Sequence, residues 1–140
     1  MKKRVLITGH EGYIGSVMAP IFVAAGYQVV GLDSGYFRDC NLVPPSSEIR
    51  SVAKDIRDVQ PADLEGFAAV IHLAGLSNDP VGNINPEWTE DINFKASVQL
   101  AQNAKAAGVQ RFLFSSSCIM YGMSELASAN EESPLDPQTE

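Results

Sequence analysis

A doubly wound α/β fold with a parallel sheet of about five strands is predicted by three features of the sequence. Short apolar runs recur with room for crossover helices between them, and they read as continuous rather than alternating, as strands buried on both faces do. A glycine-spaced turn joins the first run to a helical pattern. The order strand, helix, strand then continues along the chain, and right-handed crossovers turn such an order into an open parallel sheet. The 140 residues suffice for one domain with one core, and 45% hydrophobic and 19% charged residues are the proportions of an ordinary globular chain.

Taken in order, Lys3 to Thr8 is the first buried strand, ending at Gly9. Ile14, Val17, Met18, Ile21, Phe22 and Ala25 follow at helical spacing, and Gly26 closes that helix. Pro20 falls inside it and predicts a kink or a late start. Tyr27 to Asp33 is the second strand, Ser34 to Ser47 a long loop, and Ile49 to Asp55 the third strand. Asp58 to Phe67 reads as a short helix or turn and Ala68 to Gly75 as the fourth strand. Ser77 to Pro86 is a loop long enough to suggest a role in a site. Glu87 to Ala107 is the longest helical stretch, closed by Gly108, and Val109 to Ser115 is the fifth strand. From Ser124 onward the acidic residues are Glu125, Glu131, Glu132, Asp136 and Glu140, with no Lys or Arg, so residues 124–140 read as a polar surface segment appended to a unit of residues 1–123.

Charge excludes several functions. Ten Lys and Arg against 17 Asp and Glu give a net charge of −7, so the chain lacks the basic surface that nucleic acid or an anionic membrane requires. Its apolar runs fall well short of the ~20 residues that span a bilayer, and Met1 to Arg4 leads into a strand rather than a signal-peptide core, so a cytoplasmic protein is expected. Cys40 and Cys118 show no metal-ligand spacing, and His10 and His72 stand alone; no metal site is expected, and both histidines and a buried, inert Cys118 are given structural readings.

The chemistry lies in Thr8-Gly9-His10-Glu11-Gly12-Tyr13-Ile14-Gly15. Glycines where a strand turns into a helix let backbone approach closely, and the helix N-terminus offers unpaired N–H groups and partial positive charge to a pyrophosphate. Such glycines alone also suit a plain tight turn, and a strand-end Asp also caps a loop. With a strand before, a helix after and Asp33 ending the next strand to accept from a ribose hydroxyl, the pattern points to a dinucleotide. A carboxylate at Asp33 repels a 2′-phosphate, and Ser34 and Gly35 follow it, so NAD is expected over NADP.

In these motifs the sequence resembles the extended short-chain dehydrogenase/reductases, in particular the NAD-dependent nucleotide-sugar epimerase/dehydratase group. The resemblance rests on the glycine turn, Asp33, the Asp55-Ile56 pair, His72-Leu73-Ala74-Gly75, Asn93, and Ser115 to Gly122, all in the family's order. It implies a Rossmann-type fold in which Gly9, Gly12, Tyr13, Ile14 and Gly15 hold the pyrophosphate, Asp33 the adenosine ribose, and Asp55 with Ile56 the adenine. Leu73, Ala74 and Gly75 would line the nicotinamide half, with Asn93 nearby. Ser117 matches the catalytic hydroxyl that bonds the sugar oxygen. A nucleotide-sugar substrate and a homo-oligomer, formed through the helix after the fourth strand, are further implications.

The family's Tyr-x-x-x-Lys pair has no match: Tyr13, Tyr27, Tyr36 and Tyr121 are followed four positions on by Val17, Gly31, Cys40 and Glu125. The expectation is therefore the N-terminal, NAD-binding part of a longer enzyme, lacking the last strands and the substrate-binding part, inactive alone, with an open sheet edge that favours self-association. Ser117-Cys118-Ile119 stands where dehydratases carry Thr-Asp-Glu, which favours epimerisation, or a reductive reaction, over loss of water. A non-catalytic NAD-binding sensor is the competing reading.

Overall fold

A computed structural model describes residues 2–40, 47–77, 84–122 and 128–137. β1 (Arg4–Thr8) pairs in parallel with β2 (Gln28–Asp33) on one side and with β4 (Ala69–His72) on the other. β3 (Arg50–Ala53) flanks β2 and β5 (Arg111–Phe114) flanks β4, giving one sheet of order β3-β2-β1-β4-β5. After β1 the chain moves first one way across the sheet and then the other, so the loops following β1 and β4 diverge and open a crevice at the carboxyl ends of the strands.

The apolar runs are continuous because helices cover both faces. Leu6, Val30, Leu32 and Val70 turn to one face and pack with Ile56, Leu64, Ala96, Leu100 and Ala104. Val5, Ile7, Val29 and Ile71 turn to the other and pack against α1 (Tyr13–Ala24) through Ala19, Met18 and Phe22. Removing a side chain such as Leu100 from water in this way contributes about 2–3 kcal/mol. The outer strands are less covered: Leu113 and Phe114 of β5 are 50% and 56% exposed.

α1 begins at Tyr13 and runs through Pro20 to Ala24, so the expected late start is not found; the exposed Pro20 ring leaves the Ser16 carbonyl without its helical donor on the solvent side. The short helix or turn expected over Asp58 to Phe67 is formed by two 3₁₀ turns, Ile56–Asp58 and Pro61–Leu64. The long helical stretch is three pieces: α2 (Pro86–Thr89), a π-helical run (Glu90–Lys95) and α3 (Ala96–Ala106). Asn85 caps its start by accepting from the Glu87 N–H at 3.0 Å, and Gly108, at a φ of 77°, closes its end.

The loop after β2 contains a 3₁₀ turn, Arg38–Cys40, and its remainder over 41–46 lies outside the described residues, as do 78–83 of the expected site loop and the boundary at 123 and 124. Residues 128–135 are largely exposed, and the Asp136 N–H donates to the Met120 carbonyl at 3.0 Å. Cys118 corrects the expectation of a buried thiol. It opens the 3₁₀ turn Cys118–Tyr121 beyond the outer strand β5, where it is exposed, as is Cys40.

Candidate functional site

The glycine turn is shaped by contacts that admit no Cβ. Gly9 has a φ of +71°, and a Cβ there would lie 2.7 Å from the Ala74 nitrogen, so glycine lets the ends of β1 and β4 close on one another. A Cβ on Gly15 would run into the Gly9 carbonyl and lie 2.5 Å from His10 Cα, so the first turn of α1 rests on the strand end. The Gly12 N–H donates to the Gly9 carbonyl at 3.1 Å, and Gly12 forms the N-cap with no side chain capping the helix and no acidic residue in its first turn. The Tyr13 and Ile14 side chains are exposed, which leaves their backbone N–H groups as the part presented at this turn.

Asp33 ends β2 beside the turn. Its Oδ2 accepts from the Glu11 N–H at 3.0 Å and its Oδ1 from the Gly35 N–H at 2.9 Å. Each carboxylate oxygen has a second lone pair, so both remain able to accept from a hydroxyl. Asp55 follows the next strand on the same side, since the Lys54 N–H donates to the Asp33 carbonyl at 2.9 Å. Arg57 grips Asp55 through Nε at 3.0 Å and Nη2 at 2.7 Å, and its N–H is capped at 2.9 Å; these bonds hold the Asp55 carboxyl below its ordinary range. The Ile56 side chain is buried in the core, so its main chain alone can meet a ligand.

Beneath the crevice runs a buried polar chain. Thr8 Oγ1 accepts from the Leu73 and Ala74 N–H groups, each at 3.3 Å, and lies 2.7 Å from His72 Nδ1; His72 Nε2 lies 2.8 Å from Ser97 Oγ. With two donors already on its oxygen, Thr8 gives its proton to Nδ1, and the remaining ring proton goes from Nε2 to Ser97. Burial depresses the His72 pKa to about 4, which fixes it as neutral. His72 is thus the satisfied core histidine that was expected.

Asn93, from the π-helical run, reads the chain after β4 from the other side. Its Oδ1 accepts from the Leu76 N–H at 2.7 Å and its Nδ2 donates to the Leu76 carbonyl at 2.9 Å. A Cβ on Gly75 would lie 3.0 Å from Asn93 Oδ1, so glycine permits this grip. Asn93 therefore stands beside the segment Leu73, Ala74 and Gly75. Ser117 lies past β5, joined to the same end of the sheet by the Ser115 N–H bond to the His72 carbonyl at 3.1 Å. It is the N-cap of the 3₁₀ turn, where its Oγ accepts from the Ile119 N–H at 3.2 Å.

Sequence reasoning missed Glu11, Gly31, Arg38 and Ser51. The His10 ring lies directly over Gly31, where a Cβ would collide with its Cδ2 and Cγ, and this buries His10 against β2. Glu11 is 6% exposed; its carboxylate accepts from Arg38 Nε at 3.1 and 3.3 Å and from Ser51 Oγ at 3.2 Å. A carboxylate inside a turn of buried backbone demands such partners, and that demand was the available signal. Among the described residues no three His, Cys, Asp or Glu side chains are grouped to hold a metal, and no helix is long and apolar enough to cross a membrane.

Comparison with known proteins agrees with this architecture. The chain is 30% identical over 138 residues to the UDP-glucose 4-epimerase of Corynebacterium glutamicum, an alignment that takes in 96% of the chain and 41% of that enzyme. Its structure is similar to the dTDP-glucose 4,6-dehydratase of Streptomyces venezuelae with NAD bound, with a TM-score of 0.87 and 31% identity over 97% of this chain and 46% of that one. It is similar also to a UDP-N-acetylglucosamine 4-epimerase of Methanobrevibacter ruminantium, with a TM-score of 0.86 and 26% identity over 99% and 46% of the two chains. The chain thus spans less than half the length of these relatives. A family model matches residues 5–140, almost the whole sequence, and the chain belongs to the NAD dependent epimerase/dehydratase family.

Proposed function

We propose that this chain binds NAD in the crevice at the carboxyl end of its sheet and serves as the cofactor-binding part of a nucleotide-sugar epimerase. The observation that carries the reading is the placement of the Asp33 carboxylate against the backbone of the Gly9 to Gly15 turn, at the uncapped start of α1. The residues present fit the group. Glycine at positions 9, 12 and 15 leaves the turn free of side chains, the first N–H groups of α1 favour a diphosphate, and Asp33 retains acceptor capacity for ribose hydroxyls.

In this reading the main chain of Gly12, Tyr13, Ile14 and Gly15 binds the pyrophosphate and Asp33 accepts from the adenosine ribose. Asp55, fixed by Arg57, and the backbone of Ile56 bound the adenine. Leu73, Ala74 and Gly75 face the nicotinamide half, and they are positioned by Thr8 below and Asn93 beside them. Bound NAD supplies a hydride acceptor for a sugar carbon and then the hydride donor that restores it. Ser117 keeps its own proton while its oxygen accepts from Ile119, so it is able to donate to a sugar oxygen. The sequence Ser117-Cys118-Ile119 places no carboxylate beside that hydroxyl, which favours epimerisation over elimination of water; the related enzymes that carry the name UDP-glucose 4-epimerase support the same choice.

The test is calorimetric titration of the chain with NAD and NADP, beside Asp33→Ala. The reading expects NAD to bind with micromolar affinity, more tightly than NADP, and to lose about tenfold or more in the variant. A folded chain that binds neither dinucleotide contradicts it.

A further inference from the structure

The glycine turn beside Asp33 carries a second, buried carboxylate, Glu11, and its cation comes from the loop that follows β2. Arg38 Nε bonds both Glu11 oxygens, and its Nη2 would lie 3.3 Å from a Cβ on Gly35, the residue whose N–H donates to Asp33 Oδ1. A guanidinium thus lies over the strand end where an adenosine ribose would present its 2′ position, and it is occupied with a carboxylate. The pair is asymmetric: Glu11 is 6% exposed and Arg38 is 52% exposed. Ser51 of β3 fixes the buried partner from below, and the Glu11 N–H fixes Asp33.

Resting on the NAD reading above, we propose that Glu11 is a cofactor-specificity residue, which holds the Arg38 guanidinium in an ion pair and so withholds it from a 2′-phosphate. Arginine beside the ribose is the group that accommodates a 2′-phosphate, through parallel N–H bonds to its oxygens. Here the same arginine is neutralised by Glu11, and a phosphate entering the site meets the Asp33 carboxylate and a charge-paired guanidinium in place of a free cation. Discrimination therefore has a repulsive part, from Asp33, and a sequestering part, from Glu11. The arrangement predicts that neutralising Glu11 releases Arg38 to the phosphate.

Calorimetry with NAD and with NADP on wild type, Glu11→Gln, Arg38→Ala and the double variant tests this, with circular dichroism to establish folding. The ratio of NAD to NADP affinity is expected to fall about tenfold or more in Glu11→Gln, through tighter NADP binding, and to return in the double variant. Arg38→Ala alone is expected to raise the ratio, because it leaves the Glu11 carboxylate uncompensated beside the 2′ position. An unchanged ratio in folded Glu11→Gln overturns the inference, and so does an unchanged or lowered ratio in Arg38→Ala, an arm that stands even if Glu11→Gln does not fold. A folded wild-type chain that binds no NAD rejects the function proposed above instead.

Discussion

At the scale of single residues the site depends on two kinds of atom: those whose absence makes space and those whose proton is committed. Gly15 is the first kind. An Ala there sets its Cβ against the Gly9 carbonyl and 2.5 Å from His10 Cα, with no flexible side chain to give way. Gly15→Ala is expected to destabilise the chain by about 2 kcal/mol or more and to weaken NAD binding at least tenfold, read from denaturant melts and calorimetry. Thr8 is the second kind. Thr8→Val removes the side-chain acceptor of the Ala74 N–H, leaves the Leu73 N–H with the main-chain carbonyl of position 8 alone, and leaves His72 Nδ1 buried without a partner, at a cost of about 2 kcal/mol in the same melts. His72 itself makes stability depend on pH. Its folded pKa of about 4 is below the ordinary 6.5, so between those values the unfolded chain takes up a proton that the native chain refuses. Stability is therefore lost as pH falls from about 6.5 to 4, by an amount on the order of 3 kcal/mol, and His72→Gln flattens that part of the profile.

At the scale of elements the π-helical run and the outer strand matter most. A π-helical turn carries one more residue per hydrogen-bonded loop than an α-helical one, and such insertions concentrate at functional sites. Here the run carries Asn93, which bonds both main-chain groups of Leu76. Asn93→Ala is expected to cost about 1–2 kcal/mol and to weaken NAD binding, while Asn93→Asp, whose Oδ1 can still accept from the Leu76 N–H but whose other oxygen faces a carbonyl, recovers little of either. The second feature is β5, an outer strand with Leu113 and Phe114 half exposed. Open apolar edges pair with other chains. Light scattering is expected to find concentration-dependent association that falls when Leu113 and Phe114 are both changed to Lys.

At the scale of the whole molecule, the sheet was legible because burial on both faces forces continuous apolar runs, and Val5-Leu6-Ile7 or Val70-Ile71 can satisfy no other arrangement so well. Strand ends were less legible: β4 stops at His72 rather than Gly75, because the Leu73 N–H is shared between the Thr8 carbonyl and its Oγ1 and the Ala74 N–H turns to the Thr8 side chain. The π-helical run had no sequence signature, since apolar spacing does not distinguish one extra residue in a turn. The glycines, Asp33 and Asn93 were legible as a pattern in order along the chain. The Glu11–Arg38–Ser51 cluster was not, because it joins three elements through contacts set by the folded loop after β2.

The proposed NAD site runs across the carboxyl ends of β1, β2 and β4. Amide chemical-shift mapping of the ¹⁵N-labelled chain, titrated with NAD, tests it most directly at 15.1 kDa. The largest shifts are expected at Gly9, Gly12, Ile14, Gly15, Gly35 and Ala74, with the outward face of α3 unmoved. Saturable shifts confined to α3 or to residues 128–137, with the glycine turn silent, would contradict it.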